Sequence, residues 1–277
     1  MQVKLANAPV SWGVDYADHP KNPPWPRVMS EIREAGYRYT ELGPYGYYPT
    51  DPDRLREEFA ARGLTVVAGL VFEALHERSK RDAILASVEP TLRLLSAVGG
   101  KQLFIIDRIS PERIATAGRR DARTRLDAPR FRAMIDLIEA IAGLALGFGV
   151  QSVIHQHAGC YIEYEDELES VLAALDPAKV GLCLDTGHMT YAGIDPIAFY
   201  RRHIARVWYL HFKDIDPAVH ARVLREKISF HGAIEAKIFV PLGKGIVRWP
   251  ELAQALAVGG YGGAATVEQD IDPATSF

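Results

Sequence analysis

The stretch VGLCLDTGH (residues 180–188) opens as an apolar run and closes on an acid, Asp185. Three other stretches share its build: VIHQH (153–157), WYLHFKD (208–214) and TVEQD (266–270). Each runs apolar, largely through β-branched or aromatic residues, into one polar side chain: His155, His211 and Glu268 respectively. Short apolar runs of this kind suit strands buried on both faces of a parallel sheet. If the four are neighbouring strands, their polar residues converge at one end of a barrel. An Asp, a Glu and two His at such a place make an N/O donor set for a divalent metal. A metal at a barrel mouth points to an enzyme.

Working outward, the same reading predicts strands at 3–9, 37–42, 64–72, 101–107, 150–156, 180–185, 206–212 and 264–269. Helix-length amphipathic stretches fall between them, at 25–35, 52–62, 80–98, 127–147, 165–175, 195–203 and 249–258. This alternation argues for a parallel sheet, because parallel neighbours need a crossover helix. Eight strands suggest closure into an α/β (β/α)8 TIM barrel. Gly36, Gly63, Gly99 and Gly149 stand just before strands, where left-handed C-cap residues are expected. Asp51 and Asp195 are credible N-caps, and Pro52, Pro129 and Pro196 lie near helix starts, where proline is tolerated. No linker, repeat or low-complexity segment divides the chain, so residues 1–277 are expected to form one domain. The segment 213–248 is long for a strand-to-helix connection. A short helix near 217–226 followed by a loop is expected there, as a lid over the catalytic face. The last strand is followed by too few residues for an eighth helix. The outer ring is therefore expected to be incomplete, covered by a partner subunit, or cut short by truncation.

Composition narrows the classes. A chain of 277 residues, 48% hydrophobic, is enough for one barrel of about 250 residues. A formal charge of −3 gives no electrostatic case for nucleic acid, and acidic residues interrupt the basic group Arg119, Arg120, Arg123 and Arg125. Cys160 and Cys183 are the two cysteines and lack metal or redox spacing, which fits a reducing cytoplasm. Cys183 is expected in the core and Cys160 in a Ser- or Thr-sized space. Neither a signal peptide nor an apolar run of membrane-spanning length is visible.

NAPVSWGV (7–14), ELGPYGY (41–47), HQHAGCYIE (155–163), LDTGH (184–188), LHFKD (210–214) and VEQD (267–270) together resemble the xylose-isomerase-like barrel superfamily of sugar isomerases, epimerases and dehydratases. LDTGH and LHFKD are widespread in that superfamily. NAPVSWGV and ELGPYGY are more particular to its inosose-dehydratase-like branch. The resemblance implies a cytoplasmic, metal-dependent hydro-lyase of inositol catabolism. Its substrate would be a keto-cyclitol, 2-keto-myo-inositol, converted to a cyclohexane-dione plus water through a metal-stabilised enolate. The alternative is a ketose isomerase or 3-epimerase using the same metal. It also implies Mn²⁺, with Co²⁺, Zn²⁺ or Mg²⁺ as relatives, held by Asp185, His211, Glu268 and a fourth ligand at His155. Epimerases of the superfamily carry a Glu at that fourth place, so two-carboxylate proton exchange is not expected here. PLGKGIVRW (241–249) departs too, with Lys244 and Arg248 where acidic residues are common.

Other residues have two readings. His155 and His157 point the same way on strand alternation, so either is able to bind metal while the other meets substrate. His188 either orients Asp185 or bonds a substrate hydroxyl. Glu41, His157, His188 and Lys213 form the pool of acid/base candidates, against structural ion pairs as the plainer alternative. Among Trp12, Tyr45, Tyr47 and Phe72, Trp12 is chosen as the aromatic wall for a sugar or cyclitol. GKG (243–245) lacks P-loop spacing and reads as a turn. The partners expected are a small polyhydroxy ketone and, with an apolar face left by the missing helix, a second copy of the chain; no nucleic acid or membrane is expected.

Overall fold

A computed structural model describes residues 3–271. In chain order its strands are β1 (Lys4–Asn7), β2 (Tyr39–Glu41), β3 (Thr65–Glu73), β4 (Gln102–Asp107), β5 (Gln151–His155), β6 (Val180–Asp185), β7 (Val207–Phe212), β8 (Asp214–Ile215), β9 (Phe239–Val240) and β10 (Ala264–Val267). Eight of them close a parallel barrel in the order β1-β10-β7-β6-β5-β4-β3-β2. These are the eight expected strands, each within two residues of its expected bounds.

The helices are α1 (Trp25–Glu34), α2 (Pro52–Arg62), α3 (Arg81–Ala97), α4 (Pro111–Ile114), α5 (Ala128–Gly147), α6 (Glu165–Ala174), α7 (Thr186–Tyr191), α8 (Pro196–Arg202), α9 (Pro217–Glu226), α10 (Phe230–Glu235) and α11 (Trp249–Val258). Local chemistry sets their ends. The Asp51 side chain accepts from Arg54 N, and Asp195 from Ile197 N and Ala198 N. Gly36, Gly63, Gly99 and Gly149 adopt φ of 96°, 62°, 87° and 69°, the left-handed turn that leads each helix into the next strand. In α5, Met134, Leu137, Ile138, Ile141, Ala142 and Ala145 are buried, a single stripe at helical spacing laid against the barrel.

Strand alternation stacks the barrel interior in layers. Ala68, Phe104, Val153, Cys183 and Tyr209 form a buried apolar floor. Two residues further along the same strands come Leu70, Ile106, His155, Asp185 and His211. The floor is hydrophobic and gives the layer above it a rigid, dry support. Cys183 therefore lies in the core as expected, and Cys160 is buried with its thiol directed at Asp107 O.

The segment 213–248 is more ordered than a helix and a loop. After α9 comes a further helix, α10, and β8 pairs antiparallel with β9. Ile215, Val223, Phe230, Ala233, Ile238 and Phe239 build a second small core with Tyr191 and Ala158. Two-residue strands carry no visible alternation, which is why this hairpin leaves no periodic trace. The GKG turn is filled from inside: Gly243 N and Gly245 N donate to Asp214 Oδ2, and Trp249 Nε1 donates to the same oxygen. Arg248 pairs with Asp195 and Glu251 on the exposed surface, and neither it nor Lys244 lines the barrel cavity. The altered charge at PLGKGIVRW is thus remote from the site. The question of an eighth outer helix falls on residues outside those described. Among the described residues, no helix is long and apolar enough to cross a membrane.

Candidate metal centre and cavity

The C-terminal ends of β5, β6 and β7 and the residue after β10 bring His155, Asp185, His211 and Glu268 together, all buried. Register places Asp185 directly beside His211. Three ligating atoms face His211 Nδ1: His155 Nε2 at 3.0 Å, Glu268 Oε2 at 3.0 Å and Asp185 Oδ2 at 3.7 Å. Asp185 uses Oδ1 to accept from His188 N at 2.8 Å, which caps α7. Its Oδ2 makes no hydrogen bond, although it is buried and 3.4 Å from His155 Nε2. This oxygen faces two imidazole nitrogens and, at 3.3 Å, the Lys213 ammonium. Two imidazoles and two carboxylates around His211 Nδ1 make a donor set that fits a divalent cation of borderline or hard character.

The remaining ring nitrogen of His211, Nε2, lies 3.0 Å from Glu41 Oε1. A carboxylate there fixes the tautomer that directs the Nδ1 lone pair inward. This arrangement gives Glu41 an orienting part rather than a free acid/base one. Glu41→Gln is expected to lower divalent-ion affinity roughly 10–100-fold while leaving the melting temperature of the metal-free protein nearly unchanged. A metal-competition titration with a coloured chelator, alongside a thermal melt, reads both.

Lys213 reaches into the same cluster. Its Nζ lies 2.9 Å from Asp270 Oδ1, 3.0 Å from Glu268 Oε2 and 3.3 Å from Asp185 Oδ2, and donates to His188 Nε2 at 3.1 Å. Gly187 makes this approach possible: a Cβ there would sit 2.4 Å from Lys213 Cβ. Burial disfavours the charges, but Lys213, His155 and His211 outweigh it and hold the Asp185 pKa down to about 2. For Lys213 burial is likewise overcome, by Asp185, Asp270 and Glu268, so the ammonium is kept charged. Asp270 is pushed up to about 6 by burial, against the pull of Lys213.

Above the quartet lies a cavity of about 190 Å³. Glu41, His155, His157, His211, Lys213 and Glu268 line it; His188 and Trp12 do not. His188 is fully buried beneath, holding Lys213 and contacting Asp185 through its own backbone N–H. Trp12 packs on the outer core, and its indole N–H donates to Glu31 Oε2 at 2.5 Å. The structure therefore does not bring Trp12 to the place expected for a substrate wall. The aromatic that arrives is Phe72, which alternates with Leu70 on β3. Tyr47 is turned away, its hydroxyl donating to Pro23 O, and Tyr45 is exposed.

Two carboxyl groups in the lining, Asp15 and Asp270, were not among the expected site residues. Asp270 follows Glu268 by two, the same spacing that singled out Lys213 after His211. Asp15 follows the 3-10 turn Pro9–Trp12, where no periodicity signals direction. Asp15 stands at the exposed rim of the cavity, where crowding of its carboxyl by the surrounding protein, then the charge of Asp270, raises its pKa to about 7.

His157 Nδ1 donates to Ala158 O at 2.8 Å, so its Nε2 carries the lone pair. Burial, with His155 and Lys213 nearby, lowers its pKa to about 3. His188, its ring 3.8 Å away, is lowered further by burial and by His157. Both rings are neutral in the folded state and protonate more readily when unfolded. Their contribution to stability is therefore complete above the ordinary imidazole pKa of about 6.5 and is lost as pH falls toward the depressed values. Between pH 7 and pH 5 the melting temperature is expected to fall by several degrees, and His157→Asn to flatten that slope. Calorimetry across this range, at fixed ionic strength, makes the comparison.

Sequence comparison agrees with this architecture. A family model described as xylose isomerase-like TIM barrel matches residues 29–275, and the chain belongs to that family. The rhizopine catabolism protein MocC of Rhizobium meliloti is 31% identical over 99% of this chain and 83% of its own length. Inosose dehydratase of Geobacillus thermodenitrificans (strain NG80-2) is 28% identical over 99% of this chain and 91% of its own. Among solved structures, the IOLI protein with a bound zinc atom superposes with a TM-score of 0.72 at 15% identity, covering 97% of this chain and 90% of that one. An L-ribulose 3-epimerase gives 0.70 at 16% identity, covering 97% and 82%. These structural likenesses speak for the fold.

Proposed function

We propose that the protein is a metal-dependent hydro-lyase that removes water from a keto-cyclitol of the inosose kind. The observation that carries this reading is the convergence of His155, Asp185 and Glu268 on His211 Nδ1 at the base of the barrel-mouth cavity. Full-length similarity to inosose dehydratases supports it. His155 Nε2, Asp185 Oδ2, His211 Nδ1 and Glu268 Oε2 would hold the ion, with Mn²⁺ first among candidates and Co²⁺, Zn²⁺ or Mg²⁺ behind it. When bound, the ion supplies Lewis acidity for the negative charge that develops on the ketone oxygen as the α proton leaves.

The chain's own groups handle the protons. His157 Nε2, unprotonated and facing the cavity, takes the proton from the carbon beside the ketone. Asp15, partly protonated near neutrality, gives its proton to the departing hydroxyl. Lys213 stays charged and holds Glu268 and Asp270 in place; Glu41 holds His211. An imidazole at position 155 in place of a second proton-shuttling carboxylate disfavours the rival reading, a ketose 3-epimerase. Proton NMR of 2-keto-myo-inositol incubated with the Mn²⁺-loaded protein tests the proposal. Loss of the ring carbinol signals with appearance of the dione is expected. Deuterium uptake from D₂O into an otherwise intact ketose would support the epimerase instead, and no change in any ketone would reject both.

A further inference from the structure

β4 ends on a carboxylate that the cavity does not use. Alternation turns Phe104 and Ile106 into the barrel and sends Leu103, Ile105 and Asp107 toward the helix layer. Asp107 is fully buried there, and a buried carboxylate is costly unless its oxygens are bonded. Its partners come from two rim loops. Oδ1 accepts from Leu75 N at 3.1 Å and lies 3.0 Å from His76 Nδ1, while Oδ2 accepts from Tyr161 N at 3.1 Å. The Cys160 thiol donates to the Asp107 carbonyl. A second fully buried acid, Glu163, holds the same loop from its other side. Its Oε2 accepts from Gly159 N at 3.1 Å, and its Oε1 from Gly118 N at 2.7 Å, with Arg113 Nη2 3.4 Å from Oε2. Neither acid lines the cavity.

Between these anchors runs a turn, closed where His157 N donates to Ile162 O and Cys160 N to His157 O. Gly159 at its tip takes a left-handed φ of 81°. β5 stops at His155, so no sheet ladder fixes the direction of His157. The two carboxylates do so instead, through charge-assisted bonds to the backbone of the turn. Resting on the reading of His157 as the base that takes the α proton, we propose that Asp107 and Glu163 are positioning residues. They hold the 157–162 turn from outside the cavity and thereby set where His157 Nε2 points. A displacement of about 1 Å in a reacting group costs about 10²-fold in rate.

Asp107→Asn and Glu163→Gln keep the side-chain shapes but leave one anionic acceptor fewer for the same backbone donors. With Mn²⁺ and 2-keto-myo-inositol, kcat is expected to fall about 10-fold in each single variant and about 10²-fold in the double variant, while KM stays nearly unchanged. The second readout is the ring-nitrogen NMR spectrum of ¹⁵N-histidine protein loaded with diamagnetic Zn²⁺ at one fixed pH. His157 is assigned by its absence in His157→Asn. The wild type should show Nδ1 protonated and Nε2 bare, and the variants a mixture of the two tautomers. Folded variants that lose melting temperature but keep the wild-type His157 signals and kcat would show a merely structural role and overturn the proposal. A rise in KM in place of a fall in kcat would overturn it too. Amide exchange in the wild type needs no variant to fold: Gly159 and Tyr161 N–H should be protected like the β5 ladder, and exchange at the rate of an open loop contradicts the proposal. A wild type that forms no dione rejects the hydro-lyase reading, while the His157 signals still decide whether the turn is held in this way. A wild type that forms dione, with variants that match it, rejects the positioning role and leaves that reading standing.

Discussion

Asp185→Asn is expected to abolish function while leaving the fold intact. The amide keeps the oxygen that accepts from His188 N, so the cap of α7 survives. It replaces Oδ2, the oxygen that faces His155, His211 and Lys213, with a neutral NH₂ that cannot ligate a cation. A metal acting as Lewis acid contributes several kcal/mol at the transition state, so turnover of the keto-cyclitol should fall roughly 10³-fold. Divalent-ion affinity should fall with it. The metal-free protein should lose only a few degrees of melting temperature: the attraction that holds Asp185 ionised is lost, while Glu268 and Asp270 still compensate the Lys213 ammonium. A folded variant that keeps both ion affinity and turnover would remove Asp185 from the centre.

Lys213→Met is expected to have the largest effect on stability. Its ammonium is the one lysine or arginine charge contacting Asp185, Glu268 and Asp270 among the described residues, and all three carboxyls are largely out of water. Removing one partner of a buried pair leaves charge uncompensated and costs about 3–5 kcal/mol. In a chain of this size that is on the order of 10 °C in melting temperature for protein held in chelator. The metal effect should also grow. A cation draws on the same two oxygens, Asp185 Oδ2 and Glu268 Oε2, so Mn²⁺ should raise the melting temperature of the variant by more than that of the wild type. Equal shifts in both proteins would mean that ion and ammonium do not share those carboxylates.

The barrel was legible because each strand is a short apolar run between turn signals, and a parallel barrel strand buried on both faces must look that way. The quartet was legible for a related reason: a polar residue ending such a run has nowhere to point except the rim. The errors fall where those rules stop. Trp12 lies in a 3-10 turn, where spacing gives no direction, and Glu31 of α1 takes its indole N–H. Phe72 obeyed alternation with Leu70 and was visible by the rule that picked His157. Asp270 was visible by the same rule, as the second residue after Glu268. The cavity face of α10 depends on long-range packing of the 213–248 excursion, which its sequence pattern does not encode locally, and Asp15 follows a 3-10 turn that gives no direction. Glu41 was singled out as an acid/base candidate, but its contact with His211 joins residues 170 apart, and no local pattern reports such a pairing.

The most direct measurement is anomalous diffraction at the manganese edge from crystals soaked in Mn²⁺. The account predicts one strong peak bonded by His155 Nε2, Asp185 Oδ2, His211 Nδ1 and Glu268 Oε2 together. A peak held instead by His157, His188 and Asp270, which also stand close enough to grip an ion, or no peak within the barrel mouth, would contradict it.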